Sequence, residues 1–236
     1  MLQAHPMDKS QFDSAFQQIK KLGFVKSKYS GDRGIGSTFE DLLGIKQNNS
    51  KESDLKCGDT KVADINSTSL QTLMTCDYHA WHFLKPKGVV EKYGYEDEET
   101  GLLALRTTFK HTPNNRGFYY DASDDEFLYV KNSDNTIILQ WRWDLLLKRF
   151  HKKLHGMVKV SAESEEREDG KYFRYLNYNI LRCDDPQKLK QAYQSDSGLY
   201  IDIRCSYKYN KKGNLFLKNH GTAFRLPESK LGLIFA

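Results

Sequence analysis

Asp54-Leu55-Lys56-Cys57-Gly58-Asp59-Thr60-Lys61 sets two carboxylates and a lysine around a glycine turn, and it follows Gly34-Ile35-Gly36-Ser37-Thr38-Phe39-Glu40-Asp41-Leu42-Leu43. The octet and the residue after it read as two short strands about Gly58. Side chains alternate along a strand, so Asp59 and Lys61 share a face and Thr60 points away. Asp54 is expected on the neighbouring strand, across the turn. Two carboxylates and a backbone carbonyl are hard oxygen donors of the kind Mg²⁺ takes, with water and phosphate oxygens completing its octahedron. A lysine beside them can orient or deprotonate an attacking water and stabilise charge developing on phosphorus. That combination points to metal-dependent hydrolysis of a phosphodiester. The bare spacing is common in charged chains, and Asp54-Leu55-Lys56 and Asp64-Ile65-Asn66 offer competing frames.

Ser37 to Leu43 is predicted as a short helix with Phe39, Leu42 and Leu43 as its buried stripe, stopped by Gly44. Glu40 falls at the edge of that stripe. Two roles are open to it. It can look into a half-buried cleft, or it can complete a capping box with Ser37.

The 236 residues are 39% hydrophobic and 28% charged, with a net charge of +5. That length suits one large domain or two lobes. No apolar run is long enough for a membrane span, and the first residues carry no signal-type stretch, so a cytoplasmic protein is expected. Cys57, Cys76, Cys183 and Cys205 are scattered and predict free thiols. Fourteen Tyr, 13 Phe and 3 Trp interleave with 36 Lys and Arg. Aromatics among cations suit a polyanion bearing flat bases; they also suit a β-rich fold.

Along the rest of the chain, Asp8 is predicted to cap a helix to about Leu22, with Phe12, Ala15, Phe16, Ile19 and Leu22 on one face. Leu70 to Thr75 reads as a strand. Tyr78 to Thr108 reads as irregular, with Glu96 to Glu99 as a solvated acidic turn. A hairpin is expected over Glu126–Lys131 and Thr136–Trp143, then a basic helix from Asp144 and an apolar strand over Met157–Ala162. Strands are also predicted over Tyr172–Ile180, Leu199–Tyr207, Leu215–Leu217 and Thr222–Leu226, with a helix from Pro186. In the second of these, Leu199, Ile201, Ile203 and Cys205 face one way, and Tyr200, Asp202, Arg204 and Ser206 the other.

Gly34-Ile35-Gly36 through Leu43, the Asp-x4-Asp-x-Lys stretch, Val160-Ser161-Ala162-Glu163-Ser164, Lys171 to Tyr175, Asp202-Ile203-Arg204 and His220 to Arg225 occur in order. Together they resemble the MvaI/BcnI-type monomeric type II restriction endonucleases, in the MutH-like branch of the PD-(D/E)xK nucleases, and the MvaI side more than the BcnI side. The resemblance spans roughly residues 30–75 and 144–230.

It implies an α/β fold, an α+β mixed sheet with a PD-(D/E)xK core. A second, smaller DNA-recognition lobe would form a cleft with it. Residues 1–165 would be the catalytic lobe, with a variable insertion about 76–143, and 166–236 mainly the reader. Asp54, Asp59, Lys61 and Glu40 would be catalytic. Asp54, Asp59 and the Thr60 carbonyl would hold Mg²⁺, with Mn²⁺ as a substitute. Close relatives carry Glu where Asp59 stands.

From the back of the chain, Asp202, Arg204, His220 and Arg225 would face duplex DNA, and Lys208, Lys211 and Lys212 would neutralise phosphate. The implied target is a CC-N-GG type pseudopalindrome, nearer CCWGG. The implied enzyme is a monomer that nicks the two strands in turn, with a cognate DNA methyltransferase in the same system. Read without the resemblance, Asp202 and Arg204 are also a same-face ion pair. Other readings are a MutH-type strand-specific nickase and a catalytically inactive nucleic-acid-binding module. Cys76-x2-His79-x2-His82 and His151-x3-His155 are weak zinc patterns.

Overall fold

The computed structural model describes residues 7–29, 31, 34–45, 55–77, 80–81, 83–195 and 198–236. The chain forms two compact units that interleave in sequence. The first takes Met1–Thr68, Phe150–Asp185 and Phe235–Ala236; the second takes Ser69–Arg149 and Pro186–Ile234. The expected boundary near residue 165 therefore falls inside the first unit, within a long hairpin.

In chain order, helix α1 (Lys9–Lys21) leads to β1 (Val25–Lys26), α2 (Gly34–Leu42) and β2 (Asp59–Asp64). The second unit opens with β3 (Gln71–Thr75), α3 (Pro86–Tyr93), β4 (Tyr95–Glu96), β5 (Leu103–Phe109) and the trio β6 (Tyr119–Asp121), β7 (Phe127–Lys131) and β8 (Ile137–Arg142). Helix α4 (Trp143–Leu154) carries the chain back to β9 (Gly156–Arg167) and β10 (Gly170–Arg182). Helix α5 (Gln187–Gln194), β11 (Tyr200–Tyr209), β12 (Leu215–Asn219) and β13 (Ala223–Leu226) follow, with a closing 3₁₀ turn over Glu228–Leu233.

The first unit is a four-stranded sheet in the order β1-β10-β9-β2. Its first three strands are antiparallel, and β2 joins β9 in parallel, with Asp59 opposite Met157 and Lys61 opposite Lys159. Helix α1 starts where expected. Asp8 accepts from the Gln11 amide and Gln11 reaches back to the Asp8 amide, a full capping box. Its face of Phe12, Phe16 and Ile19 packs with Phe39 of α2 and with Val158, Val160, Ala162, Phe173 and Tyr175 of the sheet. These are the even positions of β9, so the odd ones, Met157 and Lys159, look to the opposite side.

A glycine pair fixes where β2 begins. Gly58 has φ +139°, and a Cβ there would sit 2.1 Å from the Gly156 carbonyl carbon; one on Gly156 would sit 2.2 Å from the Cys57 carbonyl oxygen. The two backbones touch because neither residue has a side chain.

The second unit has one sheet in the order β3-β13-β11-β5-β4, with β12 also on β11, and a separate antiparallel sheet β6-β7-β8. Trp141, Phe224, Tyr193 and Tyr120 pack edge to face in succession through its core, with centroids 5.2, 5.9 and 5.3 Å apart. The stretch expected to be irregular holds α3 and β5. Pro86 opens that helix, and its eight residues are too few to show a helical stripe in the sequence. The Glu96–Glu99 run is also not simply solvated. Asp97 is buried, accepting from the Thr100 amide and hydroxyl and from Arg106. All four cysteines are free thiols, and all but Cys57 are buried.

Candidate active site

Strand β2 places Asp59 and Lys61 on one face. Asp59 is 3% exposed, and Lys61 Nζ lies 2.5 Å from its Oδ2. A second cation, Lys153 Nζ of α4, stands 3.7 Å from Oδ1. A buried carboxylate is tolerated when charges of the opposite sign compensate it. Two lysines do so here. Oδ2 nevertheless has no hydrogen-bond partner among the described residues, so its contact with Lys61 is an ion pair without hydrogen-bond geometry. The neighbouring Thr60 is buried on the opposite face, and its hydroxyl oxygen likewise has no hydrogen-bond partner. A buried anionic oxygen with no hydrogen-bond donor is the kind of group a hard cation takes as ligand.

Asp54 lies outside the described residues. Glu40 is half-buried on α2, the helix packed against β2. The capping-box role for Glu40 does not hold, because α2 begins at Gly34 and leaves Ser37 inside the helix. The early start is built by packing. A Cβ on Gly34 would lie 3.2 Å from the Tyr29 carbonyl oxygen, and Thr38 meets Ser27 at 3.2 Å. The next residue, Asp41, accepts from the Tyr29 hydroxyl at 2.9 Å, a bond that raises the Tyr29 pKa above its ordinary value.

Lys153 is the functional candidate that sequence spacing missed. It is one of several cations in a basic helix, and nothing in the helix marks it out. Only the return of α4 beside β2 does so. His79 and His82 of one zinc pattern lie outside the described residues, and among those described no three His, Cys, Asp or Glu side chains gather as a metal set.

The second candidate site is in the second unit, on β11 and β13. Ile201, Ile203 and Cys205 are buried, as alternation predicts, but so is Asp202 on the other face. Its partner is Arg225, whose Nη1 lies 2.6 Å from Oδ2, with Nη2 of the same arginine donating to the Leu70 carbonyl. Arg204 stands directly opposite Arg106 of β5. His220 is exposed in the turn after β12, and its amide donates to the Arg204 carbonyl. Asp77 anchors that turn through the Asn219 amide group and the Thr222 backbone N–H, each at 2.7 Å. Lys208, Lys211 and Lys212 are exposed at the β11–β12 hairpin.

A profile of the MvaI/BcnI restriction endonuclease family matches residues 14–235. The chain belongs to that family. It is accordingly a DNA-cleaving hydrolase of the restriction type. Among solved structures it is similar to a restriction endonuclease MvaI–cognate DNA substrate complex, at 27% identity over 96% of each chain and a TM-score of 0.81. It is also similar to restriction endonuclease MvaI in the absence of DNA, at 24% identity over 100% of this chain and 98% of that one, with a TM-score of 0.52; this second likeness bears on the fold alone. No curated protein sequence matches it. The mixed α/β architecture is that of the MvaI restriction endonuclease fold. In this member of the MvaI/BcnI family, Asp59 and Lys61 lie together in one unit, and Asp202, Arg204 and Arg225 together in the other.

Proposed function

We propose that this chain is a type II restriction endonuclease that cuts duplex DNA at a short G·C-rich pseudopalindrome of the CC-N-GG type, nearer CCWGG. The observation that carries the reading is the Asp59–Lys61 pair: a buried carboxylate and an ammonium 2.5 Å apart on one strand face. The first unit would cut and the second would read. Asp54, Asp59 and the Thr60 carbonyl would hold Mg²⁺, or Mn²⁺ in its place. The donor set fits a hard divalent ion, and the buried Asp59 oxygen without a hydrogen bond supports that fit. Such an ion, when bound, supplies charge neutralisation at the scissile phosphate.

Lys61 orients an attacking water and stabilises charge on the phosphate. Glu40 holds water at the same site. Lys153 holds Asp59 in place from 3.7 Å. On the other unit, Arg204 and Arg225 donate to guanine edges, Asp202 accepts from a cytosine amino group, and His220 lies beside them. Lys208, Lys211 and Lys212 neutralise backbone phosphates, which adds affinity without sequence information. A monomer with one such site nicks the two strands in succession. It would act in the cytoplasm beside a methyltransferase of the same specificity.

The test is digestion of a supercoiled plasmid and of mixed-sequence DNA with Mg²⁺, followed by sequencing of the fragment ends. The expected result is transient open circles, then fixed linear fragments with one short motif at every end. Open circles that persist would instead indicate a strand-specific nickase of the MutH type. Tight, salt-sensitive binding without cleavage in Mg²⁺ or Mn²⁺ would indicate an inactive binding module.

A further inference from the structure

One face of the second unit's main sheet is polar across three adjacent strands. Directly opposed residues of antiparallel strands share a face. Arg204 therefore shares its face with Arg106, Asp202 with Thr108, and Tyr200 with Arg225. The strand that supplies Arg106 and Thr108, β5, comes from the stretch that the sequence left unassigned to any role.

Arg106 is held in a particular way. Its side chain is half exposed, while the Asp97 carboxylate that binds it is 11% exposed, with Nη1 to Oδ2 at 2.9 Å. The other Asp97 oxygen accepts from the Thr100 amide and hydroxyl. The Thr100 hydroxyl bond lowers the Asp97 pKa against the effect of burial, and Arg106 adds to it, so the anchor stays ionised. An ionised, turn-locked carboxylate holds one nitrogen of the guanidinium, Nη1, in place.

Two arginines directly opposite each other are unfavourable in an isolated sheet. Asp97 compensates the charge of Arg106 but takes only one of its five N–H donors, which leaves the others for a partner rich in acceptors. The major-groove edge of guanine presents O6 and N7 side by side, a pair that one guanidinium spans with two hydrogen bonds. Phosphate also attracts arginine, but it does not need a place beside Arg204 in the middle of the face.

We propose that Arg106 reads a guanine edge, with Asp97 as its positioning residue, so that recognition extends from β11 and β13 onto β5. This rests on the reading of Asp202, Arg204 and Arg225 as DNA contacts.

Arg106→Lys tests it. Lysine keeps the charge and the attraction to phosphate but loses the planar fork. Wild type and variant would each digest mixed-sequence DNA, with the fragment ends sequenced, alongside rates on the recovered motif, the salt dependence of binding, and thermal unfolding. The expected result is a loss of about 10–100-fold in kcat/KM on the motif, the size of one bidentate base contact. Base preference should relax at one position of the motif, with unchanged unfolding and salt dependence. Asp97→Asn should relax the same position less.

Full discrimination by Arg106→Lys would overturn the proposal. If Arg106→Ala then weakens binding to all sequences and flattens the salt slope by about one, the contact is to phosphate. If it lowers only the unfolding temperature, the pair with Asp97 is structural. Arg204→Ala, run in parallel, separates the two levels. Full discrimination there means that the recognition face itself is misassigned. Loss there with discrimination kept in Arg106→Lys removes Arg106 alone.

Discussion

Asp202 is paired with Arg225 on the adjacent strand, at 2.6 Å, and not with Arg204 two residues along its own strand. Register explains the choice. Tyr200 lies opposite Arg225 and Asp202 opposite Ala223, so the arginine reaches diagonally across the pair to a carboxylate that is almost buried. Removing one partner strands a charge. Asp202→Ala is expected to lower unfolding stability by up to about 3–5 kcal/mol, with the partly exposed Arg225 holding it to the lower end. Urea denaturation measures this, and an unchanged midpoint would count against a stabilising pair.

The two lysines at Asp59 should separate by function. Lys61→Ala is expected to reduce cleavage by at least about 10²–10³-fold, as when one preorganised group is removed from a transition state, while DNA binding persists. Lys153→Ala should reduce the rate less, because Asp59 keeps Lys61 as a counter-charge. Single-turnover cleavage with a parallel filter-binding assay reads both. Equal, full activity in Lys61→Ala would dismiss the site.

Acid should weaken the second unit through Asp121. Burial disfavours its charge, but the Lys131 ammonium at 2.6 Å and the Ser123 hydroxyl and amide outweigh it, holding the carboxyl at about 2 instead of 3.8. The folded pKa is depressed, so the unfolded chain takes up the proton first. The contribution is complete above about pH 4 and drains away as pH falls towards 2. Its size is on the order of 1–2 kcal/mol after allowance for partial exposure. Lys131→Met should therefore cost stability at pH 7 and little at pH 2, as seen in denaturation curves across that range.

Gly58→Ala is expected to be costly although it adds one methyl group. The residue needs φ +139°, and the new Cβ would press on the Gly156 backbone. Overpacking against main chain costs about 1–3 kcal/mol, and the strained φ adds to that. The same change at Gly36, inside α2 where a Cβ meets nothing within 4 Å, should instead raise stability by up to about 1 kcal/mol in thermal unfolding and is the control.

The sequence showed most of what lies in long or strongly alternating segments. Helix α1 with its Asp8 cap, the β7–β8 hairpin and the facing of β11 were all legible from period and punctuation. So was the sharing of one strand face by Asp59 and Lys61. Helix α3 was not, since eight residues with a proline at the start show no stripe. Asp97 was not, because an acidic run looks solvated until Arg106 and Thr100 are brought to it. Lys153 was not, because no local pattern distinguishes it among the cations of α4. Each of these depends on a partner distant in sequence, and only register or helix return supplies it.

The parallel pairing of β2 with β9 has a consequence for synthesis. Asp59 takes its place only when Met157 reaches it, and between them the chain must complete the whole run from β3 to α4. Contacts so far apart in sequence close late and slowly. On the ribosome, then, β2 stays without its β9 neighbour until most of the polypeptide has emerged. A chain stopped at Arg149 is expected to show no nuclease activity and no slow-exchanging amides over 59–64. If β2 carries the cutting residues as proposed, a half-made copy would be harmless to the genome of the cell that makes it, and the order of the strands along the chain would keep it so.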